Sequence, residues 1–117
     1  MVVVESFTKQ SSYDGMRHIY IYRLLKDEML LYVQDQGKRV QTYGIEIERQ
    51  DLEDGRMVKI ERECVKNISP QRQKIHDLMQ FLYNKEVSPI HLIDIIGEYV
   101  DNCVNDFEES LCATCNC

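Results

Sequence analysis

Tyr43-Gly44-Ile45-Glu46-Ile47-Glu48-Arg49-Gln50 is the stretch on which the reading of this chain turns. Its apolar and charged residues alternate, with Tyr43, Ile45 and Ile47 on one side and Glu46 and Glu48 on the other. That is the period-2 pattern of a strand with one buried and one wet face. Asp51-Leu-Glu-Asp-Gly55 supplies turn chemistry directly after it, and Val58, Ile60 and Cys64 then alternate with Lys59, Glu61 and Glu63. The two segments therefore form a hairpin, with Glu46 and Glu48 placed to meet Lys59 across it.

Upstream, His18 to Leu25 sends Ile19, Ile21 and Arg23 to one face and Tyr20, Tyr22 and Leu24 to the other. Apolar groups on both faces are expected of a central strand. Val2 to Thr8 reads as the first strand, and the Asp14-Gly15 pair supplies its hairpin turn. Met29 to Val33 reads as a short third strand, with Gln34-Asp35-Gln36-Gly37-Lys38 turning into the next.

Beyond Ile68 the period becomes 3.6, and two segments open alike with Ser69-Pro70 and Ser88-Pro89. Serine at an N-cap and proline at the first helical position mark two helix starts. The first helix carries Ile75, Leu78, Met79 and Leu82 on one stripe and runs to about Asn84. The second carries Leu92, Ile93, Ile96, Tyr99, Val100, Cys103, Val104 and Phe107, widened by Ile95, against a narrow polar face of Asp94, Glu98, Asp101, Asn102 and Asn105. Such an arc exceeds what one sheet face needs. Ile93, Ile96, Val100 and Phe107 are accordingly candidates for an interface with a second subunit or a protein partner. The competing reading buries the helix from two directions, between the first helix and the sheet. Gly97, unfavourable in mid-helix, is expected to mark a close backbone crossing.

The predicted fold is α+β: an antiparallel meander of four or five strands followed by a C-terminal two-helix hairpin packed on one face. It occupies residues 1–109 as one domain, with a flexible cysteine-rich tail over residues 110–117. A length of 117 residues, 44% apolar and 29% charged with two prolines and five glycines, suits a single folded unit. The longest apolar runs, Val2–Val4 and Met29–Val33, fall far short of a membrane span. The N-terminus lacks the basic and cleavage features of a signal peptide, and five cysteines do not pair evenly, so reduced thiols and a cytoplasmic address are expected.

The formal charge of −6 is unevenly spread: no Lys or Arg follows Lys85, whereas Glu86, Asp94, Glu98, Asp101, Asp106, Glu108 and Glu109 all do. An acidic C-terminal third disfavours nucleic acid and suits basic protein partners or cations.

The run from Tyr43 to Arg49, together with Ile68-Ser-Pro and Val87-Ser-Pro-Ile-His-Leu-Ile-Asp-Ile-Ile-Gly-Glu-Tyr-Val100, resembles a family of small Firmicutes proteins of unknown function. The resemblance covers most of the chain from Val2 to about Phe107. It implies a clostridial-type cytoplasmic origin and carries no assigned activity or functional residues.

Cys112-Ala-Thr-Cys115-Asn-Cys117 has the spacing to hold one soft metal ion, zinc being the natural choice, or to act as a redox pair. Structural zinc needs a fourth ligand, and the competing reading is a frayed terminus bearing thiols. Strand parity puts Arg23 and Arg62 beside Tyr43 as an anion pocket, against the alternative that both lean out to water. His18, His76 and His91 have no metal-ligand spacing, and no nucleophile or phosphate-loop motif is present. The leading expectation is a non-enzymatic protein acting by association, as a homo-oligomer or with a protein partner. The alternative is a thiol-based metal or redox module at the tail.

Overall fold

The alternation of Tyr43–Gln50 is the middle of a much longer strand. In the computed structural model, which describes residues 1–107, four strands form one sheet in the order β1-β2-β3-β4. They are β1 (Val2–Tyr13), β2 (Met16–Val33), β3 (Gln36–Glu53) and β4 (Arg56–Ser69), each antiparallel to the next. A helix α1 (Arg72–Asn84), a 3-10 turn (Pro89–His91) and a helix α2 (Leu92–Asn102) follow. This is the α+β meander with C-terminal helices that the sequence predicts, with four strands.

Met29–Val33 is not a separate strand. It continues β2 through Lys26-Asp27-Glu28, because β3 pairs along the whole length, with Asp27 opposite Thr42 and Glu28 opposite Gln41. The turn contracts to Gln34-Asp35, both at positive φ, like Asp14-Gly15 and Asp54-Gly55 in the other two hairpins. Positive φ at both central residues is what a two-residue turn of type I′ requires. Eighteen residues at about 3.3 Å each make a ribbon that accounts for the long axis of 58 Å against 22 and 19 Å across.

The inner face of the sheet is built from Tyr20, Tyr22, Leu24, Tyr43, Ile45 and Ile47, and the helices lay Ile75, Leu78, Met79, Leu82, Leu92 and Ile96 on it. Polar contacts fix the helix layer in place: the Tyr22 hydroxyl donates to the Val87 carbonyl at 2.9 Å, and the Lys9 ammonium to the Tyr83 carbonyl at 3.0 Å. Burial, helped by neighbouring Tyr20, pushes the Tyr22 phenol far above its ordinary range, so it remains a donor.

Helix α1 starts two residues later than Ser69-Pro70 predicts. Gln71 stands at its N-cap without a side-chain cap, because Ser69 ends β4 and its hydroxyl is engaged with Asp106 Oδ2 at 2.8 Å and the Gln71 amide at 3.0 Å. Ser88 likewise opens a 3-10 turn rather than α2 itself. Gly97 marks no crossing: a Cβ there would meet open space.

The glycine that matters is Gly44. A Cβ on it would run into the Val65 carbonyl oxygen and stand 2.8 Å from the Lys66 Cα, at the register shift between Tyr43 and Ile45. Such a bulge bends its strand. Asn67, at φ 54, completes the bend and accepts a hydrogen bond from Thr42 at 2.5 Å. Gly44→Ala should cost about 2–3 kcal/mol by forcing two backbones apart, read as a lower midpoint in urea unfolding. A midpoint unchanged from wild type contradicts this role.

Candidate functional site

Three polar clusters and one apolar surface stand out. On the sheet face away from the helices, the Glu48 carboxylate is only 2% exposed, held by Arg62 Nε at 2.7 Å, Arg23 Nη1 at 3.0 Å and Gln50 Nε2 at 2.6 Å. Burial alone would raise its pKa. The hydrogen bonds from Gln50 and Arg23 and the two guanidinium charges outweigh that and hold it below its ordinary value. Arg23 and Arg62 thus come together as the sequence reading has them, but on Glu48; Tyr43 lies in the core of the opposite face. Their charge is matched inside the fold, with Glu46 taking Arg23 Nη1 at 2.7 Å. Lys59 meets Glu61 at 2.8 Å instead of Glu46 or Glu48, since β4 sets Arg62 opposite Glu48 and Cys64 opposite Glu46.

At one end of the helix-side face, beyond the helices, His18 Nδ1 lies 2.5 Å from Asp51 Oδ1, and Arg49 approaches the same carboxylate at 3.1 Å. Burial works against the Asp51 charge, yet the His18 hydrogen bond and the Arg49 charge prevail and keep its pKa low. His18 Nε2 is buried without a hydrogen-bond partner among the described residues. The arrangement has the atoms of a carboxylate–histidine dyad. However, Tyr13 is stacked on the imidazole at 4.4 Å between ring centroids, and the two side chains are 7% and 6% exposed. The dyad is thus shut away from solvent and joins β2 to β3.

The third cluster ties the end of the chain to the start of α1. Asp106, 4% exposed, accepts from Ser69 and, at 2.6 Å, from Lys74. Burial opposes its charge, and these bonds reverse the effect and lower its pKa. Cys103 beside it is pushed up, first by burial and then by the Asp106 charge, which keeps its thiol protonated and unreactive. The remaining histidines are dispersed: His76 pairs with Glu5 at 2.7 Å and His91 closes the 3-10 turn. No group of three or more histidine, cysteine, aspartate or glutamate side chains among the described residues is arranged to hold a metal. The tail thiols of Cys112, Cys115 and Cys117 lie outside the described residues.

The four interface candidates separate by depth. Ile96 is 1% exposed and belongs to the core, so it is not available to a partner. Val100 packs half-buried against that core and Phe107 is half-buried, while Ile93 is 57% exposed. The sequence reading missed Phe81 and Ile90, at 46% and 71% exposure, and the outward position of Ile95 at 43%. Period analysis assigns Ile95 to the same arc as Ile96, although one residue step turns a helix by about 100°. Between the helices, Leu78, Phe81, Ile95 and Tyr99 line an apolar groove of about 320 Å³ with Asp77 at its edge. The Tyr99 hydroxyl closes one end by donating to the Lys74 carbonyl at 3.1 Å.

A single antiparallel sheet carrying one helix layer, its buried carboxylates paired within the fold and an apolar groove open between its helices, defines a small α+β protein. The chain belongs to a family of unknown function, DUF6514, which matches residues 1–102 and so spans the sheet and both helices. No curated protein and no solved structure matches the chain.

Two measurements check these assignments. Ile96→Asp should abolish the cooperative thermal transition in circular dichroism, because an unpaired buried carboxylate costs several kcal/mol, roughly the stability of a small domain. Ile93→Asp should shift stability by less than about 0.5 kcal/mol; equal effects contradict the division into core and surface.

Glu48, Asp51 and Asp106 all have folded pKa values below their ordinary 4.5, 3.8 and 3.8. The unfolded chain therefore takes up protons first on acidification. The stabilisation is complete above the ordinary carboxylate range and is lost as pH falls through it towards the folded values. Urea unfolding between pH 7 and pH 3 should show stability falling below about pH 4.5, and Glu48→Gln should flatten part of that slope. A level profile contradicts the charge-bonded Glu48.

Proposed function

We propose that this protein works without catalysis, by association, through the outer face of its helix layer. The observation that carries the reading is the pair Phe81 and Ile95, 46% and 43% exposed, which stand on one groove between the helices with Leu78 and Tyr99, although both helices already bury an inner stripe. Fully burying one such side chain contributes about 1.5–3 kcal/mol, so two of them left in water on one apolar groove favour a covering partner. The polar clusters support the same reading from the other side, since each satisfies its charges internally and offers no open reactive group. A cytoplasmic address fits the two described cysteines, Cys64 and Cys103, which are both free thiols.

The test compares affinity capture from source-cell lysate by three forms of the chain: wild type, Phe81→Ser/Ile93→Ser/Ile95→Ser, and Leu30→Ser/Tyr32→Ser. The last alters exposed apolar groups far along the β2–β3 ribbon. Quantitative mass spectrometry should show a protein retained by wild type and the ribbon variant but reduced at least about tenfold by the helix-face variant, the loss expected when one anchor worth about 1.4 kcal/mol is removed. Identical retention by all three forms contradicts the proposal.

A further inference from the structure

We infer that the groove between α1 and α2 takes an amphipathic helix carrying lysine or arginine along its flanks, contributed by a protein partner. This rests on the association reading of the same face and specifies the occupant. The groove floor is apolar, built by Leu78 and Phe81 of α1 and Ile95 and Tyr99 of α2. Each wall runs one helical turn, from Asp77 to Phe81 and from Ile95 to Tyr99, a rise of about 6 Å that matches two apolar anchors spaced i and i+4 on a docked helix.

Charge decides which helix. Asp77 forms one lip, exposed. At 100° per residue, Asp94, Glu98 and Asp101 fall on the outward crest of α2, opposite the buried Leu92, Ile96 and Cys103. All three are exposed, and the same rotation sets Glu98 about 60° around the axis from Ile95, on the groove side of that crest. No base on α2 balances them, since Lys85 is the last lysine or arginine in the chain. The cations of α1 are engaged elsewhere, Lys74 with Asp106 and Arg72 with Glu5. An occupant with basic flanks meets carboxylates on both lips. A second copy of this chain, packed helix on helix about a two-fold axis, sets the acidic crest of α2 against itself, and like charges across an interface are strongly disfavoured.

The probes are two 14-residue helical peptides with leucine at two positions one turn apart, one carrying lysine and the other glutamate on the flanks. Fluorescence anisotropy should show the lysine peptide binding at least about tenfold tighter than the glutamate peptide. Phe81→Ser/Ile95→Ser, which leaves the net charge unchanged, should weaken the lysine peptide by at least about tenfold. If that variant loses its helical circular dichroism, Asp77→Lys/Glu98→Lys at the exposed lips takes its place and should reverse the peptide preference.

Equal binding of the two peptides, or lysine-peptide binding untouched by both double variants, overturns the inference. A wild-type dimer in sedimentation equilibrium that Phe81→Ser/Ile95→Ser dissociates assigns the groove to a second copy, which also overturns it. Face-dependent capture from lysate combined with any of these results leaves the association reading standing and removes only the basic helix. Capture that does not depend on the face removes both.

Discussion

The architecture depends on one close approach, where β4 passes Gly44 so tightly that no side chain fits between the two backbones. The bulge between Tyr43 and Ile45 and the positive φ of Asn67 turn β4 inward there. Ser69 is thereby brought opposite Tyr43, and the chain leaves the sheet heading back over its inner face. Every later contact follows from that exit point. Ile75, Met79 and Leu82 cover Tyr22 and Ile45, Val87 reaches the Tyr22 hydroxyl, and α2 arrives beside α1 with its acidic crest outward. A β4 that stayed flat along β3 would carry the helices away from the residues they bury.

Buried ion pairs are weak evidence of stability, because desolvation consumes most of the attraction. The clusters here are better understood as devices of register. A one-residue slip of β2 against β3 turns over the faces of β2, and it would bring Arg23 to the helix layer, away from Glu48, while exposing Tyr22. The Glu48 network, with partners on β2, β3 and β4, and the His18–Asp51 contact three register positions along the same ribbon hold the pairing at two points. Asp106 does the same for the helix layer, locking the last described turn to Ser69 and Lys74. The outer surface of α1 and α2, by contrast, holds Phe81 and Ile95 in the open.

Much of this was legible in the sequence, and the remainder has physical reasons for being hidden. Local alternation in Tyr43–Gln50, the two Asp-Gly turns and the change of period after Ile68 carry their own signals, and together they define the meander and its helices. The continuity of β2 through Lys26-Asp27-Glu28 carries none, since three charged residues break the apolar pattern and only pairing with β3 holds them extended. Arg23 and Arg62 were legible as neighbours, but their meeting point on Glu48 depends on a strand order that periodicity does not encode. Contacts such as His18 with Asp51 or Ser69 with Asp106 join residues more than thirty apart. On α2, an arc of consecutive apolar residues does not reveal which edge faces the sheet, so Ile96 and Ile93 looked equivalent until the helix was docked.

The central claim is that the outer face of the helix layer is the working surface. It is tested most directly by amide chemical-shift mapping of the isotope-labelled chain during titration with the lysine-flanked peptide. The account predicts saturable shifts concentrated at Asp77, Leu78, Phe81, Ile95, Glu98 and Tyr99, with the β1–β2 and β2–β3 turns unmoved. Shifts confined to the sheet face around Arg23 and Arg62, or scattered over acidic side chains without regard to the groove, would contradict it.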